Sequence, residues 1–438
     1  MPTAHQSRPT LYARHRIPHP TRELPFRPLL SVCLATYQHG PYIAAAIESV
    51  LAQEADFPYE LIIGEDQSTD ATRETCIRYA RAHPDLIRLF LRSRDDVIHI
   101  RGRPTGRYNG TENMKAARGE YIARLDGDDY WTDPLKLQKQ VAFLQAHPDC
   151  SVCFHDVLTI YADGSRPSSR HTQPPDTHRF GLEDVLRTGI SQTSTMVFRR
   201  DALPELPDWF YRVPAGDRAL SLLLAERGAI GYLHQLMSVY RAHAGGMWSG
   251  ATERDQLERK LQTYDLFEAH LGDRYTACLE ELRALVHYRL AVDCWLRGLK
   301  AEALDWMARV AEVFPSGAEG LLPAAVAGLV EIERQDGYQR ADEALRWTCR
   351  ALSGRPAGRA WCRSLCAEWG AAYAYQAHRR GDRPAVRRAS WRALTRDWRI
   401  LRNRGFLWRW LSAIVGPRAW ATLRHLTRRQ PSTTQIQQ

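Results

Sequence analysis

Leu125-Asp126-Gly127-Asp128-Asp129-Tyr130-Trp131 sets two carboxylates two residues apart at the end of an apolar run. In extended backbone, residues i and i+2 point to the same side, so Asp126 and Asp128 converge. Carboxylates that close repel and raise each other's pKa unless a cation lies between them. A hard divalent ion, Mg²⁺ or Mn²⁺, suits carboxylate oxygens and leaves coordination positions for a diphosphate. Gly127 leaves room for that group to approach the backbone. Asp129 is a weaker candidate, and Asp133 before Pro134 reads as a helix N-cap with Pro at N1.

Two earlier segments carry a related signal. Ala35-Thr36-Tyr37-Gln38 ends an apolar run and is followed by Gly40 and a helical pattern, whose free N–H groups could meet a phosphate or a ring edge. Gly64-Glu65-Asp66-Gln67-Ser68-Thr69-Asp70 places carboxylates where they could accept from a base or a ribose. Asp66 is the first choice for that contact and Glu65 the second, while Ser68, Thr69 or Asp70 caps the next helix. Farther on, Pro214-Ala215-Gly216-Asp217-Arg218 opens an apolar helix. Asp217 could cap that helix or, kept ionised at its N-terminus, act as a general base. Tyr240-Arg241-Ala242-His243 precedes Gly245-Gly246, and His243 could ligate the metal or contact the diphosphate.

The elements that must position these residues alternate. Strands are predicted at residues 29–35, 60–63, 86–91 and 121–125, with helices at 42–53, 70–81 and 112–117 between them. That order implies a mostly parallel sheet with helices on both faces, which binds ligands at the carboxyl ends of its strands. Cys150-Ser151-Val152-Cys153 reads as strand rather than as half of a zinc site. Strand-like pieces at residues 193–198 and 237–240 belong to the second, acceptor-side half of the same domain. The expected organisation is a disordered arm over residues 1–27, an α/β domain over 28–250 and an all-α region over 251–438.

Composition bounds the remaining choices. With 438 residues, 44% hydrophobic and 25% charged, the chain is long enough for two or three domains, and wholesale disorder is excluded. Its formal net charge of +10 is unevenly placed: residues 350–438 hold 19 Arg and three acidic residues, for +16. The first 349 residues hold 41 basic and 47 acidic side chains, so no genome-binding role is read into the basic balance. Nine Cys, an N-terminus without an apolar export core and no ~20-residue apolar run lead us to expect a reducing cytoplasm and no membrane span.

With these motifs in view, residues 28–250 resemble a bacterial family 2 glycosyltransferase. The resemblance rests on Ser31-Val32-Cys33-Leu34-Ala35-Thr36-Tyr37, on Glu65-Asp66-Gln67-Ser68-Thr69-Asp70, and on Ala117-Arg118-Gly119-Glu120-Tyr121-Ile122 leading into Asp126-Gly127-Asp128-Asp129. Gly216-Asp217, Gly231-Tyr232-Leu233 and Tyr240-Arg241-Ala242-His243 resemble the acceptor-side motifs. Gln38 departs from the family's more frequent Asn, and Gln67 from its frequent Gly. The resemblance implies an A-type nucleotide-diphospho-sugar fold and an inverting, metal-dependent transfer to an acceptor hydroxyl in cell-surface glycan assembly. Thr36, Tyr37 and Asp66 would hold the nucleoside, with Asp126 as a further nucleotide contact; residues 101–113 have no obvious match in the family, and Arg107 is a candidate diphosphate or base contact outside the resemblance. Asp128, Asp126 and His243 would hold Mg²⁺ or Mn²⁺, and Asp217 would be the base. The implied partners are a UDP-sugar and a glycan or lipid-linked acceptor, with no nucleic acid. A nucleotidyltransferase and a helical scaffold with a degenerate transferase domain are the alternatives; no Gly-rich basic triphosphate loop follows the first strand. Residues 379–429 interleave Arg with Trp391, Trp398, Trp408, Trp410 and Trp420, which suits either a solvated helical face or peripheral attachment to an anionic inner membrane surface.

Overall fold

Strand β1 (Leu30–Thr36) is apolar along nearly its whole length because the sheet is covered on both faces there; Leu30, Val32 and Leu34 are fully buried. The computed structural model describes residues 25–161, 163–164, 167–173, 178–188, 192–313, 318–354 and 356–396. The expected N-terminal arm and most of the Arg/Trp-rich tail lie outside the described residues.

After β1 come α1 (Ile43–Leu51), β2 (Tyr59–Glu65), α2 (Thr72–Ala82), β3 (Ile87–Leu91) and the hairpin β4 (Ile98–Ile100) and β5 (Arg103–Thr105). Next are α3 (Arg107–Ala116), β6 (Tyr121–Asp126), β7 (Tyr130–Trp131), α4 (Lys136–Ala146), β8 (Cys150–Tyr161), β9 (Ser169–His171) and β10 (Arg179–Phe180). Helix α5 (Leu182–Thr188), β11 (Val197–Arg199), α6 (Gly216–Ala225), β12 (Ala229–Ala242) and α7 (Glu253–Leu271) complete the series. The main sheet runs β10-β12-β8-β11-β6-β1-β2-β3. The pairs β1–β2, β1–β6, β2–β3 and β8–β12 are parallel, and β11 lies antiparallel between β6 and β8. The sheet is therefore mixed, with its parallel part carrying the first three motifs.

Register decides where those motifs meet. Thr36 stands opposite Glu65, and Ala35 opposite Asp126. Chain order turns back at β1, which has β2 on one side and β6 on the other, and the crevice at such a switch point is open at the strands' carboxyl ends.

Three expectations shift. Helix α3 begins at Arg107, not at residue 112, because Asn109 and Asn113 are buried against the sheet rather than left in a turn. Their Nδ2 groups donate to the carbonyls of Gly64 and Leu34, each at 2.8 Å. Residues 193–195 form a 3-10 turn, held by the Ser194 N–H donating to the Gln192 side chain, and only Val197–Arg199 is strand. The chain divides into compact units Met1–Tyr275 and Thr276–Gln438, later than the sequence reading places the boundary. Helix α7 explains the difference: Phe267 is buried edge-on to Trp209, and Arg259 Nη1 donates to the Met247 carbonyl at 2.9 Å.

The second unit contains α8 (Thr276–Leu296), α9 (Lys300–Val313), α10 (Ala318–Asp336), α11 (Tyr338–Leu352), α12 (Pro356–Arg379) and α13 (Arg383–Arg396). Its core includes Tyr288, Leu329, Trp361, Leu365 and Trp369. Among the described residues no helix is long and apolar enough to cross a membrane.

Candidate active site

The loop after β1 is fixed by the loop after β2. Gln38, at φ 55°, accepts the N–H groups of Thr69 (3.0 Å) and Asp70 (3.2 Å) on its side-chain oxygen. The Gly40 N–H donates to Asp70 Oδ2 at 2.8 Å, and Asp70 Oδ1 accepts from Thr72 N at 3.0 Å, so Asp70 serves the start of α2 as expected. Gln67 sits at φ 59°, and its side-chain oxygen accepts from Arg94 N at 2.8 Å. Both residues that depart from the family pattern thus occupy left-handed backbone, where Gly or Asn costs less strain. Each recovers part of that cost through its side-chain amide.

Asp66 is buried, and its Oδ2 accepts from Arg94 Nη1 at 2.9 Å. The Arg94 guanidinium also lies 3.8 Å from the centre of the Tyr37 ring. Burial pushes the Asp66 carboxyl up to about 6, with Arg94 opposing the shift. Thr36 is buried beside this cluster, with its Oγ1 3.3 Å from His39 Nδ1.

The turn after β6 crosses the end of β1. A Cβ on Gly127 would collide with Thr36 and His39 side-chain atoms. Close packing of two loops therefore requires this glycine. Asp128 Oδ2 faces two imidazoles, His243 Nε2 at 3.1 Å and His39 Nε2 at 3.6 Å. Burial acts to raise the Asp128 carboxyl, but the His243 hydrogen bond and the charges of His39 and His243 hold it below the usual range. Burial pushes Asp126 up to about 6, opposed by Arg124 and reinforced by Asp128. Asp129 is occupied by its neighbours, since its carboxylate accepts from Arg241 N at 3.0 Å and from Gln192 Nε2 at 3.3 Å. Arg241 Nη1 donates to the Asp128 carbonyl at 2.7 Å, which clamps the turn to the end of β12.

Asp217 occupies the first turn of α6, where its Oδ1 accepts the N–H of Arg218 at 2.8 Å. Its charge acts on Asp126 and on Arg107, so α6 brings it to the same end of the sheet. Arg107 is committed elsewhere than expected. Its buried guanidinium donates to the carbonyls of Phe210 and Val213, the latter at 3.0 Å. It fastens the loop leading to Asp217. Gly231 and Tyr232 also prove structural: a Cβ on Gly231 would strike the Phe143 ring, and the Tyr232 hydroxyl donates to Asp156 Oδ1 at 2.8 Å.

Sequence reasoning missed His39, Arg94, Arg124 and Arg241. His39 and Arg94 each lie within three residues of a strand's carboxyl end, and applying the strand-end rule to every polar residue there would have found them. Among the described residues no group of three or more His, Cys, Asp or Glu side chains is arranged to hold a metal unaided. Asp128 does offer the carboxylate oxygen that Mn²⁺ or Mg²⁺ accepts, and His243 adds an imidazole nitrogen, a softer donor that suits Mn²⁺ better than Mg²⁺.

The family model described as glycosyl transferase family 2 matches residues 31–206. An uncharacterized protein of Mycobacterium tuberculosis is 38% identical over 261 residues, covering 59% of this chain and 69% of that protein. The UDP-Glc:alpha-D-GlcNAc-diphosphoundecaprenol beta-1,3-glucosyltransferase WfaP of Escherichia coli is 28% identical over 222 residues, 50% of this chain and 79% of that one. Among solved structures, TarS residues 1–349 of S. aureus aligns with TM-score 0.46 and 17% identity, over 73% of this chain and 91% of that chain. The matched segment contains the first three motifs, their aligned strand ends and the Asp126/Asp128 turn, and the chain belongs to glycosyl transferase family 2.

Proposed function

We propose that the protein moves a sugar from a nucleotide-diphospho-sugar to an acceptor hydroxyl with inversion, using a divalent cation. The observation that carries this reading is Asp128 facing His243 and His39 at the switch point, with Asp217 in electrostatic reach of Asp126. Tyr37 and Thr36 line the nucleoside side, and Asp66, oriented by Arg94, accepts a base N–H or a ribose hydroxyl. Asp128 and His243 hold the cation, with Asp126 beside them. When bound, the cation stabilises the negative charge that develops on the leaving nucleoside diphosphate. Asp217 takes the proton of the acceptor hydroxyl as its oxygen bonds to the anomeric carbon and the bond to the diphosphate breaks. Attack on the face opposite the leaving group inverts the centre in one displacement.

The E. coli relative, named for a UDP-glucose donor and a diphosphoundecaprenol-linked acceptor, supports a UDP-sugar donor and a lipid-linked acceptor for this chain too; a role in cell-surface glycan assembly belongs to the same proposal. The test is Mn²⁺ binding followed by EPR in the presence of UDP. Asp128→Asn and His243→Ala should each weaken Mn²⁺ binding about tenfold or more. Unchanged Mn²⁺ affinity in both variants would remove the proposed metal site.

A further inference from the structure

A cavity of about 250 Å³ lies beside the loop that follows His243, and its lining includes Arg101, Arg103, Pro214, Gly246, Met247 and Arg259. Pro214 stands three residues before Asp217, so the cavity borders both the segment leading to the proposed base and the segment leaving the proposed metal ligand. Three of its lining side chains are guanidiniums, and none is a carboxylate. The acids that pair with these arginines, Asp255 and Glu258, are not part of the lining and are shared. Arg259 Nη2 is 2.8 Å from Asp255, Arg101 Nη2 is 2.8 Å from Glu258, and Arg254 Nε also pairs with Glu258 at 3.2 Å. Arg103 stands 3.8 Å from Asp255, beyond hydrogen-bond reach.

One further feature bears on the site. Arg259 is only 7% exposed, and its Nε is buried with no hydrogen-bond acceptor among the described residues. A buried donor without a partner is costly, and the Asp255 Oδ2 that pairs with this guanidinium is likewise buried without a hydrogen bond, so an entering anion competes with that carboxylate for Arg259.

We propose that this cavity receives a phosphate group carried by the acceptor, with Arg101, Arg103 and Arg259 as its anion-binding groups. The proposal rests on the glycosyl-transfer reading, because it supplies the acceptor side of the same site. Guanidinium forks match phosphate oxygens bidentately, and several around one cavity select an anionic acceptor over a neutral sugar.

The experiment is calorimetric titration of the full-length protein, saturated with UDP and Mn²⁺ to block the donor site, with octyl phosphate, inorganic phosphate and octyl glucoside. Octyl phosphate should bind saturably and octyl glucoside at least about tenfold more weakly. Octyl phosphate binding well above that of inorganic phosphate assigns a lipid phosphate; equal binding assigns a soluble phosphorylated acceptor. The Arg101→Gln/Arg103→Gln double variant should lose about tenfold or more in phosphate affinity while keeping wild-type UDP affinity, which also verifies its fold. Absence of saturable phosphate binding, or equal binding by the double variant, overturns the assignment. Failure of UDP binding by the wild type would instead undo the glycosyl-transfer reading, and phosphate titration without UDP would still decide the cavity.

Discussion

Burial acts to raise both Asp66 and Asp128, yet only Asp66 ends high, at about 6. The difference lies in what faces each oxygen: flanking arginines that only partly offset burial at Asp66, and at Asp128 a hydrogen bond from His243 together with the charges of His39 and His243. For Asp66 the folded state holds its proton more tightly than the unfolded chain, so its contribution to stability falls as pH rises from 3.8 towards 6. Recognition runs the other way, since only the ionised carboxylate accepts without donating. Uridine titrated without metal should therefore bind about tenfold more weakly at pH 5 than at pH 7.5. Asp66→Asn should flatten that profile; a profile unchanged by the substitution would take Asp66 out of nucleoside binding. Asp217 is tested by a split. Asp217→Asn should lower kcat by about 100-fold or more while UDP affinity stays within about twofold. Parallel loss of both would contradict its assignment as the base.

At the scale of elements, the loop before α6 depends on one buried contact. A Cβ on Gly216 would fall on the Arg107 guanidinium, which supplies donors to the carbonyls of Phe210 and Val213. Gly216→Ala should displace that fork and cost about 1–3 kcal/mol in a urea melt, the range for leaving buried polar groups unpaired. It should also lower kcat with little change in UDP affinity, because Asp217 moves and the nucleoside loops do not. Unchanged stability with weakened UDP binding would return Arg107 to the nucleotide. Arg107 also shows what the sequence conveys and what it withholds. Strands β1, β2, β3 and β6 are legible as apolar runs, and their polar ends are legible as a shared edge once a parallel sheet is inferred. The start of α3 is not, because Asn109-Gly110 resembles a turn until two sheet carbonyls are seen to need its asparagine donors. His39 and Arg241 matter through residues nearly ninety and more than a hundred positions away, a separation that no local pattern encodes. Gly127 is legible as a constraint but invites attribution to a ligand, when the crowding comes from Thr36 and His39.

On the scale of the whole molecule, charge separates along the chain: the last 89 residues carry +16 and the rest a small negative excess. Trp391, in α13, is 66% exposed, and the other tail tryptophans lie outside the described residues. An exposed Trp among arginines suits a headgroup layer, where the ring lies at the interface and the guanidiniums meet lipid phosphate. For an enzyme that uses a lipid-linked acceptor, such attachment would keep the transferase domain near its substrate. The full-length protein should float with vesicles containing about 30% anionic lipid and stay behind with neutral vesicles, because each basic residue near a charged surface contributes about 1 kcal/mol. Raising salt from about 0.1 to about 0.5 M shortens the screening length and should release much of the bound protein. Removing residues 397–438 should abolish flotation while leaving UDP and Mn²⁺ binding intact. If the truncated protein floats as well as the full chain, the tail is a solvated surface and the acceptor must be reached by another route.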